Sequence, residues 1–160
     1  MKLSDILKAE SILPGIEGGE KTKIQVIHEM IDQLAKAFDL DEMQKEAVEE
    51  AITYRERQKS TGMERGVAIP HGKTDQIKGL IAGIGVYRDG IEFDTLDKKP
   101  VHFVVCMVSD FDRSTEHVQA LAQIMRILQR EDVAEEMLEA EDPKKVMSLV
   151  KREEKELGQM

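Results

Sequence analysis

Apolar residues along the chain follow two patterns, one typical of helices and one typical of strands. Spacings of three and four positions predict an amphipathic helix over residues 20–38, because residues so spaced lie on one helical face. The same spacing predicts further helices over residues 42–58, from Ser114, around Val133–Leu138 and from Asp142-Pro143. We expect the highly charged residues 151–160 to fray.

Three shorter runs indicate strands. Val67–Ile69 and Leu80–Tyr87 are rich in small and β-branched residues, and Val101–Val108 is continuously apolar, as in a strand buried on both faces. Asp89-Gly90 predicts a hairpin with a return strand over Ile91–Phe93. Helices before, between and after these strands indicate an α/β fold, in which one mixed sheet carries helices on both faces.

Length and composition predict a single domain over residues 1–160. No repeat, low-complexity tract or linker divides the chain, and Gly18-Gly19 marks only a local break. The net charge of −9 repels phosphate backbones, which argues against a nucleic-acid partner and suits a basic protein partner. Cys106 is the only cysteine and lies in an apolar run, so we interpret it as a small core residue.

The sequence also bears on where the protein works. It has no disulfide framework and no signal peptide, so we expect a cytoplasmic location. Its longest apolar runs are too short to cross a bilayer, so we expect no direct membrane insertion.

The stretch Ser60–Lys73 contains a histidine in an unusual setting. Pro70 fixes its own φ and ends a short strand, and Gly72 leaves the backbone after His71 free of side-chain bulk. We therefore expect an imidazole at the end of a rigid strand, where a partner can reach it. The alternative is a histidine that only caps a loop.

Two further residues lie at element edges, where sites collect in α/β folds. Arg55 ends a helix near its buried side, and His117 lies in the first turn of another, at the positive end of the helix dipole. With His71 they would form a phosphate pocket in which one imidazole attacks phosphorus. The simpler interpretation of Arg55 is an ion pair with Glu56 or Glu64, or a head group that reaches water. For His117 it is a core histidine with a satisfied hydrogen bond.

Other chemistry has less support in the sequence. There is no P-loop, no dinucleotide-binding glycine motif after a strand and no nucleophile elbow. The histidines at positions 28, 71, 102 and 117 are not spaced as a helical pair of metal ligands, and no cysteine cluster accompanies them. A histidine-rich metal-binding domain is therefore the least favoured hypothesis.

Several of these residues together resemble a known family. They are Arg55-Glu56, Ser60-Thr61-Gly62, Gly66-Val67-Ala68-Ile69-Pro70-His71-Gly72-Lys73, Pro100-Val101 and His117 with Leu121. The set is similar to enzyme IIA of the fructose–mannitol class, or type 2, in the bacterial phosphotransferase system, and most of all to its stand-alone nitrogen-type members. Leu3–Leu7 and the helix over residues 21–34 also resemble that subgroup, so the likeness covers nearly the whole chain.

The resemblance implies a fold and a set of roles. The family fold is a mixed sheet flanked by helices. His71 would accept a phosphoryl group from the phosphocarrier protein HPr, or its nitrogen-branch relative, and pass it to an enzyme IIB domain where one exists. Arg55 and His117 would support the phosphoryl group, and Ser60 matches a hydroxyl position near the site. No metal or organic cofactor is implied. Gly72, which lacks a side chain, would let the backbone come close to the incoming group.

Two hypotheses of different classes follow. In the first, the chain is a phosphoryl-transfer protein with a phosphohistidine at His71. In the second, it is chiefly a regulatory binding module whose phosphorylation state decides which partner it holds. The chain departs from the family at Met63-Glu64-Arg65, where small residues are common. Glu64 would repel a phosphohistidine while Arg65 offsets that charge, so the departure bears on partner choice and phosphohistidine lifetime.

Overall fold

A computed structural model gives the fold, and it describes residues 2–17 and 20–158. The strands are β1 (Ile12–Ile16), β2 (Val67–Ala68), β3 (His71–Lys73), β4 (Leu80–Ile91) and β5 (Val101–Ser109). The helices are α1 (Lys23–Ala37), α2 (Glu42–Gln58), α3 (Ser114–Leu128), α4 (Glu131–Glu139) and α5 (Pro143–Gly158). Short 3₁₀ helices lie at Leu3–Asp5, Ala9–Ser11 and Phe111–Arg113. The break predicted at Gly18-Gly19 falls outside the described residues.

The strands form one mixed sheet in the order β1-β4-β5-β2, and β3 also pairs with β5. β4 and β5 are antiparallel, whereas β1 runs parallel to β4, and both β2 and β3 run parallel to β5. β5 is the central strand, and its residues are buried apart from the half-buried His102. The prediction of a mixed sheet around Val101–Val108 is therefore confirmed.

Helices cover both faces of the sheet. Alternate residues of β5 point to opposite faces. Val104 and Val108 pack with α1 and α2 on one face, while Phe103 and Val105 pack with α3, α4 and α5 on the other. The predicted arrangement of helices on two faces of a sheet is therefore confirmed. Cys106 is fully buried among the first group, as expected of a small core residue.

The helix boundaries follow the sequence pattern closely. α2 has the predicted bounds, and α1 begins a few residues later than predicted because Thr22 caps its first turn. α5 begins at Pro143 as predicted, but it continues to Gly158 through the segment expected to fray. Arg130, which precedes α4, bonds the buried carboxylate of Glu153 and ties this part of α5 to the fold.

The hairpin predicted at Asp89-Gly90 is wrong. β4 continues through both residues to Ile91, and its antiparallel partner β5 is reached through residues 92–100. Gly90 has a φ of 80°, and the pairing register shifts between Val86 and Ile91. A glycine with positive φ suits a bulge within a strand as well as a turn between strands, and here it kinks one strand.

Two smaller predictions near the histidines also need correction. The strand predicted over Val67–Ile69 ends at Ala68, and His71 is the first residue of a further strand instead of the residue that follows a strand end. A serine at the start of a predicted helix often serves as its N-cap, but Ser114 is the first residue of α3. The 3₁₀ helix before it is capped by Asp110, so α3 needs no separate cap at Ser114.

Candidate functional site

Two imidazoles from distant parts of the chain lie against each other at the carboxyl end of β5. His71 opens β3, which pairs with β5 at Met107, and His117 lies in the first turn of α3, which follows β5. The ring centroids are 5.4 Å apart and the ring planes are inclined at 63°. β5 therefore positions both rings, one through strand pairing and the other through the helix that follows it.

The ring of His71 is held by the backbone. Its Nδ1 lies 2.7 Å from the carbonyl oxygen of Ile69. Because a carbonyl oxygen only accepts hydrogen bonds, Nδ1 carries the proton and Nε2 keeps its lone pair. Burial lowers the pKa of His71, and the bond to Ile69 and the charge of Glu56 oppose this, whereas the charges of Arg55 and Lys73 lower it further. A neutral imidazole with a free Nε2 can act as a nucleophile.

His117 lies almost fully buried behind the ring of His71, with 3% of its surface exposed. Its Nδ1 is 2.7 Å from the hydroxyl oxygen of Ser109, the last residue of β5. Burial, with smaller contributions from His71 and Lys73, lowers the pKa of His117 to about 4. His117 is therefore neutral near pH 7. It is a core histidine with a satisfied hydrogen bond, and it also contacts the ring of His71.

His71 borders a hollow of about 370 Å³. Arg55, near the carboxyl end of α2, lines the same hollow and donates from Nη1 to the carbonyl oxygen of Lys59 at 2.7 Å. Within the described part of the chain, Arg55 forms no ion pair with Glu56 or Glu64. Its charge is therefore available to an anion in the hollow. Arg55 and His71 share this hollow, whereas His117 stands against the His71 ring.

Ser60 and Gly72 both have structural partners. Ser60 lines the hollow, and its hydroxyl donates to the carbonyl oxygen of Phe93 at 2.8 Å and accepts from Nζ of Lys23 at 3.2 Å. Gly72 is buried, and a Cβ there would lie 2.8 Å from the backbone carbonyl carbon of Ala51 in α2. The lack of a side chain at Gly72 therefore allows α2 to pack closely on β3.

Two charged groups near the site belong to the family motifs, but the sequence assigned them no role at the phosphate site. Lys73 follows His71 by two residues in β3, so both side chains lie on one side of the strand, and its Nζ donates to Oγ of Ser114 at 2.9 Å. Its charge lowers the pKa of both His71 and His117. The two-residue spacing was the signal that would have found Lys73. Glu56, a buried carboxylate in α2, belongs to the motif Arg55-Glu56, but nothing in the sequence indicated its burial or its partners.

The hollow has an apolar rim around its cationic groups. The apolar side chains that line it are Met63, Ile69, Leu96, Leu121 and Met125. Leu96 is the most open of these, with 59% of its surface exposed. An exposed leucine beside a charged centre with an apolar lining suits a protein partner better than a small polar molecule.

The remaining two histidines have partners elsewhere. Nδ1 of His28 lies 3.3 Å from a carboxylate oxygen of Glu49, and Nδ1 of His102 donates to the carbonyl oxygen of Tyr87 at 2.9 Å. Among residues 2–17 and 20–158, no group of three or more histidine, cysteine or acidic side chains is arranged to hold a metal ion. Over the same residues, no helix is both long enough and apolar enough to cross a membrane.

Comparison with known proteins assigns the family. The family model for the EIIA 2 component of the phosphoenolpyruvate-dependent sugar phosphotransferase system matches residues 5–153. The chain belongs to this family. The resemblance found in the sequence is therefore confirmed, and so is a general role of this EIIA chain in phosphoryl transfer.

The EIIA chain is similar to sugar-specific components and to nitrogen regulatory proteins. The fructose-specific EIIABC component of Bacillus subtilis is 34% identical over 155 residues, which make up 97% of this chain and 24% of that protein. The nitrogen regulatory protein of Bradyrhizobium diazoefficiens is 29% identical over 150 residues, or 94% of this chain and 95% of that protein. The crystal structure of nitrogen regulatory protein IIA-Ntr from Neisseria meningitidis matches with a TM-score of 0.81 at 24% identity, covering 92% of this chain and 98% of that one. This last likeness supports the fold of the EIIA chain.

Proposed function

We propose that Nε2 of His71 accepts a phosphoryl group from an HPr-type phosphocarrier protein, and that the EIIA chain passes it to an enzyme IIB domain or keeps it as a regulatory state. The observation that carries this proposal is the 2.7 Å bond between Nδ1 of His71 and the carbonyl oxygen of Ile69, because it leaves Nε2 without a proton. The position of His71 on the wall of an open hollow supports access by a partner.

In this proposal Nε2 of His71 attacks phosphorus in line with the bond that joins the phosphoryl group to the carrier. The new N–P bond forms as the old bond breaks, and the electron pair of the old bond stays with the carrier. The proton stays on Nδ1, which donates it in a hydrogen bond to the carbonyl oxygen of Ile69. The ring therefore keeps its orientation for the return step.

Cationic and polar groups around the hollow stabilise the phosphoryl oxygens. Arg55 and Lys73 supply positive charge near His71. His117 supports the phosphoryl group as a neutral donor: when the hydroxyl of Ser109 donates to its Nδ1, its Nε2 carries the hydrogen.

Ser60 and Gly72 have secondary roles in the same proposal. Ser60 forms part of the wall of the hollow. Gly72 keeps α2, and with it the arginine at the end of that helix, close to the strand of His71. Both roles are positional, since the Ser60 hydroxyl is engaged by the backbone of Phe93 and the side-chain position of Gly72 faces α2.

The test is transfer of labelled phosphate from phosphoenolpyruvate through enzyme I and the carrier. We expect an acid-labile phosphate on the wild-type chain and none on His71→Ala. The matched control is His28→Ala, which removes an exposed histidine on α1 and should leave labelling unchanged. Acid-labile label on a folded His71→Ala variant would overturn the assignment.

A chiefly regulatory role is the second candidate. The likeness to a nitrogen regulatory protein over nearly its whole length favours it. A phosphoryl group on His71 would place negative charge inside an apolar rim and change which surfaces fit there. Pull-down with both phosphorylation states tests this role, and capture of transfer proteins alone would argue against it. In either role we propose residues 1–160 as one EIIA domain, and the cytoplasmic location stays a prediction.

A further inference from the structure

A buried carboxylate lies directly behind the hollow. Glu56 is 7% exposed and belongs to the last turn of α2. Both features oppose a negative charge, because burial removes its hydration and the carboxyl end of a helix carries partial negative charge. A buried carboxylate at this position needs hydrogen-bond donors that offset the cost of its charge. Those donors identify the segment of the chain that the carboxylate holds in place.

The carboxylate of Glu56 binds three donors from two parts of the chain. Nζ of Lys23, in α1, lies 2.8 Å from one oxygen, and the backbone N–H of Thr61 donates to the same oxygen at 2.7 Å. The hydroxyl of Thr61 donates to the other oxygen. Thr61 is itself buried, and both of its donors are therefore fixed by one side chain.

A continuous series of hydrogen bonds leads from this carboxylate to the imidazole of His71. The carbonyl oxygen of Thr61 accepts from the backbone N–H of Ile69 at 3.1 Å. The carbonyl oxygen of Ile69 accepts from Nδ1 of His71 at 2.7 Å. Glu56 thus holds Thr61, Thr61 holds Ile69, and Ile69 sets which ring nitrogen carries the proton.

Lys23 supports the same segment from the other side. Besides Glu56, its ammonium group donates to the hydroxyl of Ser60 at 3.2 Å and lies 5.2 Å from the ring centre of Phe93. The segment of residues 60–62, which lines the hollow, is therefore held at two successive residues.

We propose that Glu56 is a positioning residue for His71, which fixes the orientation and tautomer of the imidazole through Thr61 and Ile69. It touches neither the phosphoryl group nor the carrier in this proposal. The inference rests on the proposed function of His71, but it makes a separate claim about the unphosphorylated chain: the Nδ1–H tautomer depends on hydrogen bonds that begin at Glu56.

Two substitutions of similar size separate this role from simple burial. In Glu56→Gln the amide oxygen still accepts from the N–H of Thr61 and the amide nitrogen donates to its hydroxyl, so the support is kept. In Glu56→Met no strong acceptor remains, and the N–H of Thr61 loses its partner. We expect Glu56→Gln to behave nearly as wild type in the transfer assay. For Glu56→Met we expect a fall of about 10-fold in the phosphorylation rate at saturating carrier, as for lost support of a functional histidine.

The deciding measurement is the nitrogen-15 NMR spectrum of His71 in the unphosphorylated protein. We expect the Nδ1–H form in wild type and Glu56→Gln, and a mixture of tautomers in Glu56→Met. Glu153→Met is the matched control, because Glu153 is also a buried, ion-paired carboxylate but lies in α5. It should lower stability and leave the His71 spectrum and the phosphorylation rate of the folded protein unchanged.

The outcomes decide between the possibilities. A wild-type tautomer and rate in Glu56→Met, or equal losses in Glu56→Gln and Glu56→Met, would overturn the proposal. If Glu56→Met does not fold, Thr61→Val removes one of the two hydrogen bonds from Thr61 to Glu56 and should shift the tautomer in the same direction. An unchanged spectrum there counts against the proposal. Failure of the proposed function is recognised separately, by label on His71→Ala, because the NMR measurement needs no phosphoryl transfer.

Discussion

At the residue scale, the two touching imidazoles owe their neutral form first to burial. Burial is the main cause that lowers the pKa of His71, and it is also the main cause that lowers the pKa of His117 to about 4. Neutral rings do not repel each other, so the centroids can lie 5.4 Å apart. The same neutrality leaves a lone pair on Nε2 of His71, as a nucleophile requires.

We expect His117 to make the protein less stable as the pH falls from about 6.5 to about 4. In the unfolded chain the imidazole takes up a proton near its ordinary pKa of 6.5, whereas the folded chain keeps it neutral down to about 4. The unfolded state therefore binds more protons in this window, and the free energy of unfolding drops by about 3 kcal/mol. Denaturant titration at several pH values measures this drop.

The matched protein for this measurement is His117→Gln, which cannot take up a proton at that position. Its free energy of unfolding should vary less between pH 6.5 and 4 than that of the wild type, since acidic groups elsewhere titrate equally in both proteins. The same dependence on pH in both proteins would contradict the prediction.

At the element scale, the packing of α2 on β3 sets the distance between Arg55 and His71. Gly72 is the point of closest approach, because a Cβ there would lie 2.8 Å from the carbonyl carbon of Ala51 and 2.9 Å from its oxygen. These are backbone atoms of α2, so rotation of a side chain cannot relieve the contact. Any larger residue at position 72 must move the helix as a whole.

We therefore expect Gly72→Ala to lower the free energy of unfolding by about 1–3 kcal/mol, the usual cost of overpacking. The rate of His71 phosphorylation should also fall, because Arg55 moves with α2. Thermal unfolding and the labelling assay check the two effects. The double variant Gly72→Ala with Ala51→Gly should not recover fully, since it removes only the Cβ of Ala51 at 3.0 Å and leaves the two closer contacts with backbone atoms. Wild-type stability in Gly72→Ala would refute this account of the packing.

The elements differ in how well the sequence could predict them. α2 was predicted with its bounds because Ala47, Ala51 and Tyr54 recur at spacings of four and three, and such spacing is local information. β3 has three residues and no period of its own, and it forms only because β5 offers a parallel partner. Asp89-Gly90 suits a turn and a bulge equally, and the pairing of Ile91 with Val101 decides between them.

At the whole-molecule scale, the same distinction applies to the site. Arg55, His71 and His117 stand out in the sequence because each lies at an element edge and within a family motif. Glu56 and Thr61 also belong to family motifs, but the hydrogen bonds between them are not predictable in that way, because they depend on how a helix end meets the segment after it and on Lys23 from another helix. Long-range packing of this kind leaves no period in the sequence.

The surface of the whole chain also differs from the surface around the hollow. The chain carries a net charge of −9, yet Arg55 and Lys59 line the hollow together with five apolar side chains. In the proposed function, Arg55 meets the phosphoryl group and the apolar rim meets the carrier around it. Area at such a rim contributes to binding in both the ground state and the transition state, so it should affect KM more than kcat.

A substitution at Leu96 tests whether the rim binds the carrier, since Leu96 lines the hollow and is 59% exposed. Leu96→Ser removes apolar area that a carrier would bury, so we expect the KM for the phosphorylated carrier to rise by about 10-fold with little change in kcat. Met43→Ser is the control: Met43 is 68% exposed at the start of α2 and should change neither value. A loss confined to kcat would instead indicate that Leu96 helps to position His71. Equal effects of Leu96→Ser and Met43→Ser would show that the apolar rim does not bind the carrier.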